Sequence, residues 1–185
     1  HLYNDKKRGI AMRSMRLKNR EIKDQETLRE LIDDCVVVRI GAMDKEGMFI
    51  VPVNYGYEWE DIKDSAPSLK LYFHSASQGR KADAFSREPV VALELDREGG
   101  VIRGTYTCSY SFAYQSVMGT GKIRKLTEAV EKLHGFEKIM EHLAPEAKHT
   151  FDEGLLKAAD VYCIDVLSFT GKERKPKETG QSENV

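Results

Sequence analysis

Hydrophobic positions along the chain change period several times, and each change marks an element. Leu28, Leu31 and Ile32 recur at helical spacing behind Asp24, a good N-cap, which predicts a first helix. The period then drops to two. Val36 to Gly41 is short and β-branched, Asp44-Lys45-Glu46-Gly47 reads as a turn, and Phe49 to Glu58 returns as a second strand of a hairpin. Leu69, Leu71 and Phe73 alternate with Lys70, Tyr72 and His74, so a strand there presents two distinct faces. Arg80 to Glu88 predicts a short helix ending before Pro89. Strands follow at Val90 to Asp96, Val101 to Tyr110 and Ser116 to Leu126, with Glu98-Gly99-Gly100 as a turn. Thr127 caps an amphipathic helix whose apolar face is Val130, Leu133, Phe136, Met140 and Leu143. A short helix over Phe151 to Ala158 and a last strand over Val161 to Val166 complete the pattern.

Strands joined mostly by short turns, with few strand–helix–strand alternations, predict a mainly β chain with helices, an antiparallel barrel or sandwich and not a doubly wound sheet. The 185 residues suit one domain. The expected organisation is a basic extension over 1–23, a folded domain over 24–172 and a disordered tail over 173–185. The extension carries eight basic residues against Asp5 and Glu21. A basic arm can touch nucleic acid, but a solvated leader is the simpler reading, and no nucleic-acid partner is expected. No apolar run approaches the ~18 residues of a membrane span, and the start lacks the apolar stretch of a signal peptide. Cys35, Cys108 and Cys163 are odd in number and widely spaced. They predict buried thiols in a reducing, cytoplasmic compartment, with no disulfide framework and no zinc site.

Three segments could carry chemistry. Phe73-His74-Ser75-Ala76-Ser77-Gln78-Gly79-Arg80-Lys81 runs from strand through a small-residue loop into a helix. Hydroxyls, free N–H groups and two cations at a helix start suit a phosphate; an ordinary capped turn with two surface cations fits the same spacing. Ile50-Val51-Pro52-Val53-Asn54-Tyr55-Gly56-Tyr57 places a proline inside a strand, which belongs at an edge or bulge, and Gly56 leaves room for close approach. A planar ligand against this backbone would use both features, and a plain edge strand would too. Tyr114-Gln115-Ser116-Val117-Met118-Gly119-Thr120-Gly121-Lys122 crowds aromatics and hydroxyls, but its Gly-Thr-Gly-Lys is no P-loop, because the first glycine and the Mg²⁺-binding hydroxyl are missing. His134, Glu137, Glu141 and His142 have no usual ligand spacing and read as a solvated helix face.

Taken together, Ile50 to Tyr57, Leu71 to Ala76, Gly79-Arg80-Lys81, Tyr114 to Lys122 and the late Thr170-Gly171-Lys172 resemble the FMN-binding split barrels related to pyridoxamine 5′-phosphate oxidase. Within them the chain is most similar to the Nim group of 5-nitroimidazole-resistance proteins, over roughly Arg16 to Lys172. The resemblance implies a six-stranded antiparallel split β-barrel and a homodimer with FMN at its interface. It implies Val51, Pro52, Val53 and Asn54 along the flavin ring, Ser75, Arg80 and Lys81 at its phosphate, and Gln115 and Ser116 approaching it, from the partner subunit. His74 matches the group's site histidine and would be both a flavin neighbour and the catalytic residue. The activity implied is oxidoreduction of a small planar substrate, nitroaromatics included. A non-catalytic FMN carrier and a haem-handling relative are the alternatives. The C-terminal substrate motif of pyridoxamine-phosphate oxidases is missing from the tail, so vitamin B6 oxidation is not implied, and Gln115 stands where many Nim-type relatives carry an acidic residue.

Overall fold

The computed structural model describes residues 14–148, 150, 154 and 158–176. Most of the 151–158 segment, and the outer parts of the N-terminal extension and the tail, lie outside the described residues. The elements in chain order are β1 (Glu21–Ile22), α1 (Gln25–Asp34), β2 (Val37–Asp44), β3 (Gly47–Asn54), β4 (Gly56–Glu60), β5 (Ser68–Ser75), α2 (Arg80–Arg87), β6 (Val90–Ile102), β7 (Ser111–Leu126), α3 (Ala129–Leu143) and β8 (Asp160–Arg174). Among the described residues, eight antiparallel strands, not six, form one open sheet ordered β3-β2-β6-β7-β8-β5-β4, with β1 added on β8.

The extra strands have simple origins. Glu21–Ile22 pairs with Lys172 and Gly171, which brings Ile22 into the core. The expected single strand from Phe49 to Glu58 breaks at Tyr55. β3 pairs with β2 at one edge of the sheet, β4 pairs with β5 at the other, and one residue separates them. The sheet is therefore curled until its two edges lie a single residue apart, although no ladder joins them. Tyr55 turns this corner fully buried, its hydroxyl donating to the Ile32 carbonyl at 2.6 Å.

Two predicted boundaries move for a reason visible in the glycines. Glu98-Gly99-Gly100 is not a turn. β6 continues through it, and the ladder to β7 shifts register between Glu98 and Gly100 as a bulge. A Cβ on Gly99 would sit 2.9 Å from the Ala113 methyl, and Gly100 adopts φ +89°. The hairpin turns later, over 103–110, so two expected short strands become one long arm. The last strand likewise runs to Arg174, well past Val166.

α1 forms as predicted. Asp24 accepts from the Thr27 N–H at 2.8 Å, and Leu28, Leu31 and Ile32 enter the main core with Val38, Ile40, Phe73, Leu93 and Ile164. α3 starts at Ala129 behind Glu128, not behind Thr127. Its buried positions are Gly135 and Ile139, whereas Val130, expected on the inner face, is 80% exposed. Backbone proximity sets this face. A Cβ on Gly135 would meet Val161 Cγ1 at 2.8 Å, and one on Gly56 would collide with the Lys138 backbone. Gly56 therefore makes room for a helix, not for a planar ligand. No helix among the described residues is long and apolar enough to cross a membrane.

Candidate functional site

Gly79, the residue before α2, has a φ of +115° and open space where a Cβ would stand. Arg80, the first residue of α2, does not point freely into the preceding loop. Its Nε and Nη2 donate to the two Asp44 carboxylate oxygens at 2.7 and 2.9 Å, and Nη2 also reaches the Gly47 carbonyl at 3.3 Å. The guanidinium lies 4.4 Å above the centre of the Phe49 ring. α2 is thus clasped to the β2–β3 turn. The hydrogen bonds from Arg80 hold the Asp44 carboxyl down at about 2. Its ordinary value is higher, so the clasp is complete above the usual carboxylate range and is lost as pH falls toward 2. A cleft of about 460 Å³ beside it is lined by Asp44, Glu46, Arg80, Asp83, Arg87 and Glu88, among others. Lys81 is half-buried, one position on and about 100° around the helix.

Ser75 is buried at the end of β5 opposite Asp160, its hydroxyl donating to the Ala76 carbonyl at 3.1 Å. Asp160 in turn meets Lys125 Nζ at 2.6 Å. His74 points to the other side of β5, exposed, with its ring 5.7 Å from that of Phe136 on α3. On β3, Val51 and Val53 pack against the core, while Pro52 and Asn54 face outward. Asn54 Nδ2 donates to the Val36 carbonyl at 2.9 Å.

Gln115 and Ser116 are adjacent on β7 and so face opposite sides of the sheet. Gln115 bonds Arg97 and donates to Glu173 at 3.1 Å; Arg97 also pairs with Asp34 at the end of α1. Ser116 lies on the outward side, opposite Asp96. The structure therefore brings Arg80 to the β2–β3 hairpin that carries Val51 to Asn54, but leaves Ser116 elsewhere on that surface. Pro52 and Met118 sit three strand spacings apart on the outward face, about 14 Å.

The outward face of β2 and β3 carries the exposed half of the alternation in these strands. Met43, Met48 and Ile50 stand beside Gly41 and Ala92, with Val90 and Met118 adjoining; Met48 is 84% and Ile50 69% exposed. A polar strip crosses it, where Arg39 pairs with Glu94 at 3.0 Å and Asp96 at 2.6 Å. Beyond the strip, Val101 and Phe112 resume the apolar surface. Apolar side chains grouped on one exposed face are the kind of surface that interfaces use.

The histidines of α3 are not a solvated row. His134 Nε2 meets Glu58 Oε1 at 2.7 Å, and the Tyr72 hydroxyl donates to Glu58 Oε2 at 2.5 Å. Burial pushes the Glu58 carboxyl up, and these two hydrogen bonds outweigh it, leaving it below the ordinary value. His142 bridges the Tyr55 and Asp33 carbonyls at 2.7 and 2.8 Å. Both residues tie α3 down beside the Tyr55 corner. No cluster of metal-ligating side chains occurs among the described residues. Cys35 and Cys163 are buried, and burial pushes both thiols up to about 11, which makes them poor nucleophiles. Cys108, expected to be buried, is exposed in the β6–β7 loop.

The family described as pyridoxamine 5′-phosphate oxidase matches residues 24–173, and the chain belongs to it. Among solved structures, the chain is similar to a Bacteroides thetaiotaomicron protein assigned to 5-nitroimidazole antibiotic resistance. They share 27% identity at a TM-score of 0.68, over 83% of this chain and 86% of that one. A flavocytochrome from Azotobacter vinelandii matches with TM-score 0.71 and 18% identity, covering 92% and 76% of the two chains. An FAD- and haem-binding protein from Mycobacterium smegmatis matches with TM-score 0.71 and 14% identity, covering 86% and 77%. At such identities the last two establish the fold alone. Comparison with curated proteins found no match.

Proposed function

We propose that this protein binds FMN between two copies of its split barrel and acts as a flavin-dependent oxidoreductase on a small planar substrate, with nitroaromatics the favoured class. The observation that carries this reading is the docking of the cationic start of α2 on the β2–β3 hairpin. It joins the small-residue loop before α2 to the hairpin whose second strand carries Val51 to Asn54. Lys81, Ser75 and the loop N–H groups fit the phosphate, and Val51 to Asn54 fit the ring. The likeness to the nitroimidazole-resistance protein supports the substrate class. FMN would supply the electron-carrying chemistry. His74, exposed with its ring tilted 34° to that of Phe136, is the residue proposed to move a proton near the ring. A cytoplasmic location belongs to the same proposal.

Purified protein titrated with FMN and with riboflavin is expected to bind FMN at micromolar concentration or tighter and riboflavin more weakly. It should then oxidise a nicotinamide donor anaerobically when a nitroaromatic is present. Absence of FMN binding overturns the flavin reading. Binding without turnover leaves a carrier, not an enzyme.

The spacing of the outward face supports a second copy, because Ser116 and Pro52 stand too far apart on one chain to reach the same ring. Met43, Met48, Ile50 and Met118 are the apolar surface proposed to be buried between copies. Light scattering is expected to give twice the 21.0 kDa chain mass. Ile50→Glu, which would place a carboxylate in that interface, is expected to give the single-chain mass and to lose FMN together with the dimer. A wild-type mass of one chain overturns the shared site.

A further inference from the structure

We infer that Asp44 is a specificity-determining residue for the phosphate end of the proposed flavin site: by clasping Arg80 it cancels one of the two cations at the start of α2, which weakens the preference for a phosphorylated flavin over an unphosphorylated one. The inference rests on the flavin reading above. It is carried by geometry. A guanidinium has five N–H donors. Arg80 spends Nε and both Nη2 hydrogens on Asp44 and the Gly47 carbonyl, and its flat face on Phe49. Only the Nη1 edge remains for a ligand. The carboxylate stays charged beside it, and its side chain is just 14% exposed. Solvent therefore screens it less than it screens a fully exposed surface charge.

The surroundings do not restore the lost charge. The cleft beside the clasp is lined by the acidic Asp44, Glu46, Asp83 and Glu88 and the basic Lys45, Arg80 and Arg87. Among the described residues, Lys81 is then the cation at the start of α2 that no carboxylate pairs with. A phosphate monoester carries close to two negative charges near neutral pH. Such an anion meets one free lysine, half an arginine and a nearby carboxylate. Two full cations would hold it more tightly.

Asp44→Asn tests this directly. Asparagine keeps the turn, since its side-chain oxygen can still accept from the Glu46 N–H that Asp44 holds at 2.9 Å. It removes the charge and, by putting an NH2 where an Asp44 oxygen accepted from Arg80 Nε, frees that edge of the guanidinium. FMN affinity is expected to rise roughly three- to tenfold, with riboflavin affinity unchanged, so that the ratio of the two rises by the same factor. The gain should shrink with added salt. An unchanged ratio, or equal changes for both ligands, overturns the inference. So does a falling ratio, which would mean that Asp44 aims Arg80 at the phosphate. Asp44→Ser, which also retains a turn-forming acceptor, gives the same readings if the asparagine variant folds poorly. Wild-type protein that binds neither flavin would defeat the flavin reading itself, a result visible before either variant is made.

Discussion

Gly56→Ala is expected to be among the most destabilising single-methyl changes in this protein. The added Cβ would enter the backbone of α3 at Lys138 and Ile139, well inside contact distance. A collision with a flexible side chain can be relieved by a rotamer change, but helix backbone cannot step aside without moving α3. That helix is pinned by His134 to Glu58 and by His142 to the Tyr55 and Asp33 carbonyls. Overpacking in a closely packed interior costs about 1–3 kcal/mol, and a clash with helix backbone belongs at the upper end. For a chain of this length, about 3 kcal/mol lowers Tm by roughly 6–12 °C. Thermal unfolding followed by circular dichroism checks it. Truncating Lys138 to alanine in the same background should not rescue the loss, because the clash is with main chain. Rescue by that truncation, or a Tm within a degree or two of wild type, would show that α3 is not seated on Gly56.

The second large effect is expected at Lys81. With Arg80 held by Asp44, Lys81 is left as the principal cation for the phosphate of FMN. A charge-assisted hydrogen bond in a partly shielded site is worth about 1.5–3 kcal/mol. Lys81→Ala should therefore weaken FMN roughly tenfold to a hundredfold. Riboflavin, which lacks the phosphate, should bind the variant and the wild type alike. Arg80→Ala should cost FMN less than Lys81→Ala, and it should also loosen α2 from the β2–β3 turn, visible as a lower Tm. Fluorescence titration with both ligands separates the two residues. Equal FMN affinity for Lys81→Ala and wild type would reduce the loop to a capped turn and place the flavin elsewhere.

Much of this could be read from the sequence where local chemistry and tertiary position agree. The 3.6 period of Leu28, Leu31 and Ile32 behind Asp24 specifies both a helix and its buried face. The alternation of Leu69, Leu71 and Phe73 against Tyr72 and His74 gives two faces, and the structure uses them so, one for the core and one for α3. Gly47 in its turn adopts the positive φ that its place suggests. The illegible parts depend on neighbours distant in sequence. Alternation from Phe49 to Glu58 does not stop at Tyr55, so nothing local marks the change of sheet edge. α3 docks through Gly135 on one side and Gly56 on the other, and apolar periodicity cannot register a residue that packs by having no side chain. Arg80 looks like a phosphate ligand from its helix position alone; its partner Asp44 stands 36 residues earlier. Gln115 and Ser116 read as a pair because they are adjacent, whereas in a strand adjacency means opposite sides.

The corner at Tyr55 also constrains the order in which the chain can assemble. β2 and β3 can pair as soon as they leave the ribosome, and so can β4 and β5. Between these two hairpins, however, the finished sheet inserts β6, β7 and β8. β5 has only β4 and β8 as ladder partners. Until residues 160–174 are made, the chain holds two unfinished half-sheets hinged at one tyrosine, each with an open edge. The closing contacts have large sequence separations, and such topologies fold late and slowly. β8, the last of the described strands to be made, is therefore the one that locks the first hairpins together, and the interval before it arrives is when nascent chains are most exposed to pairing with one another.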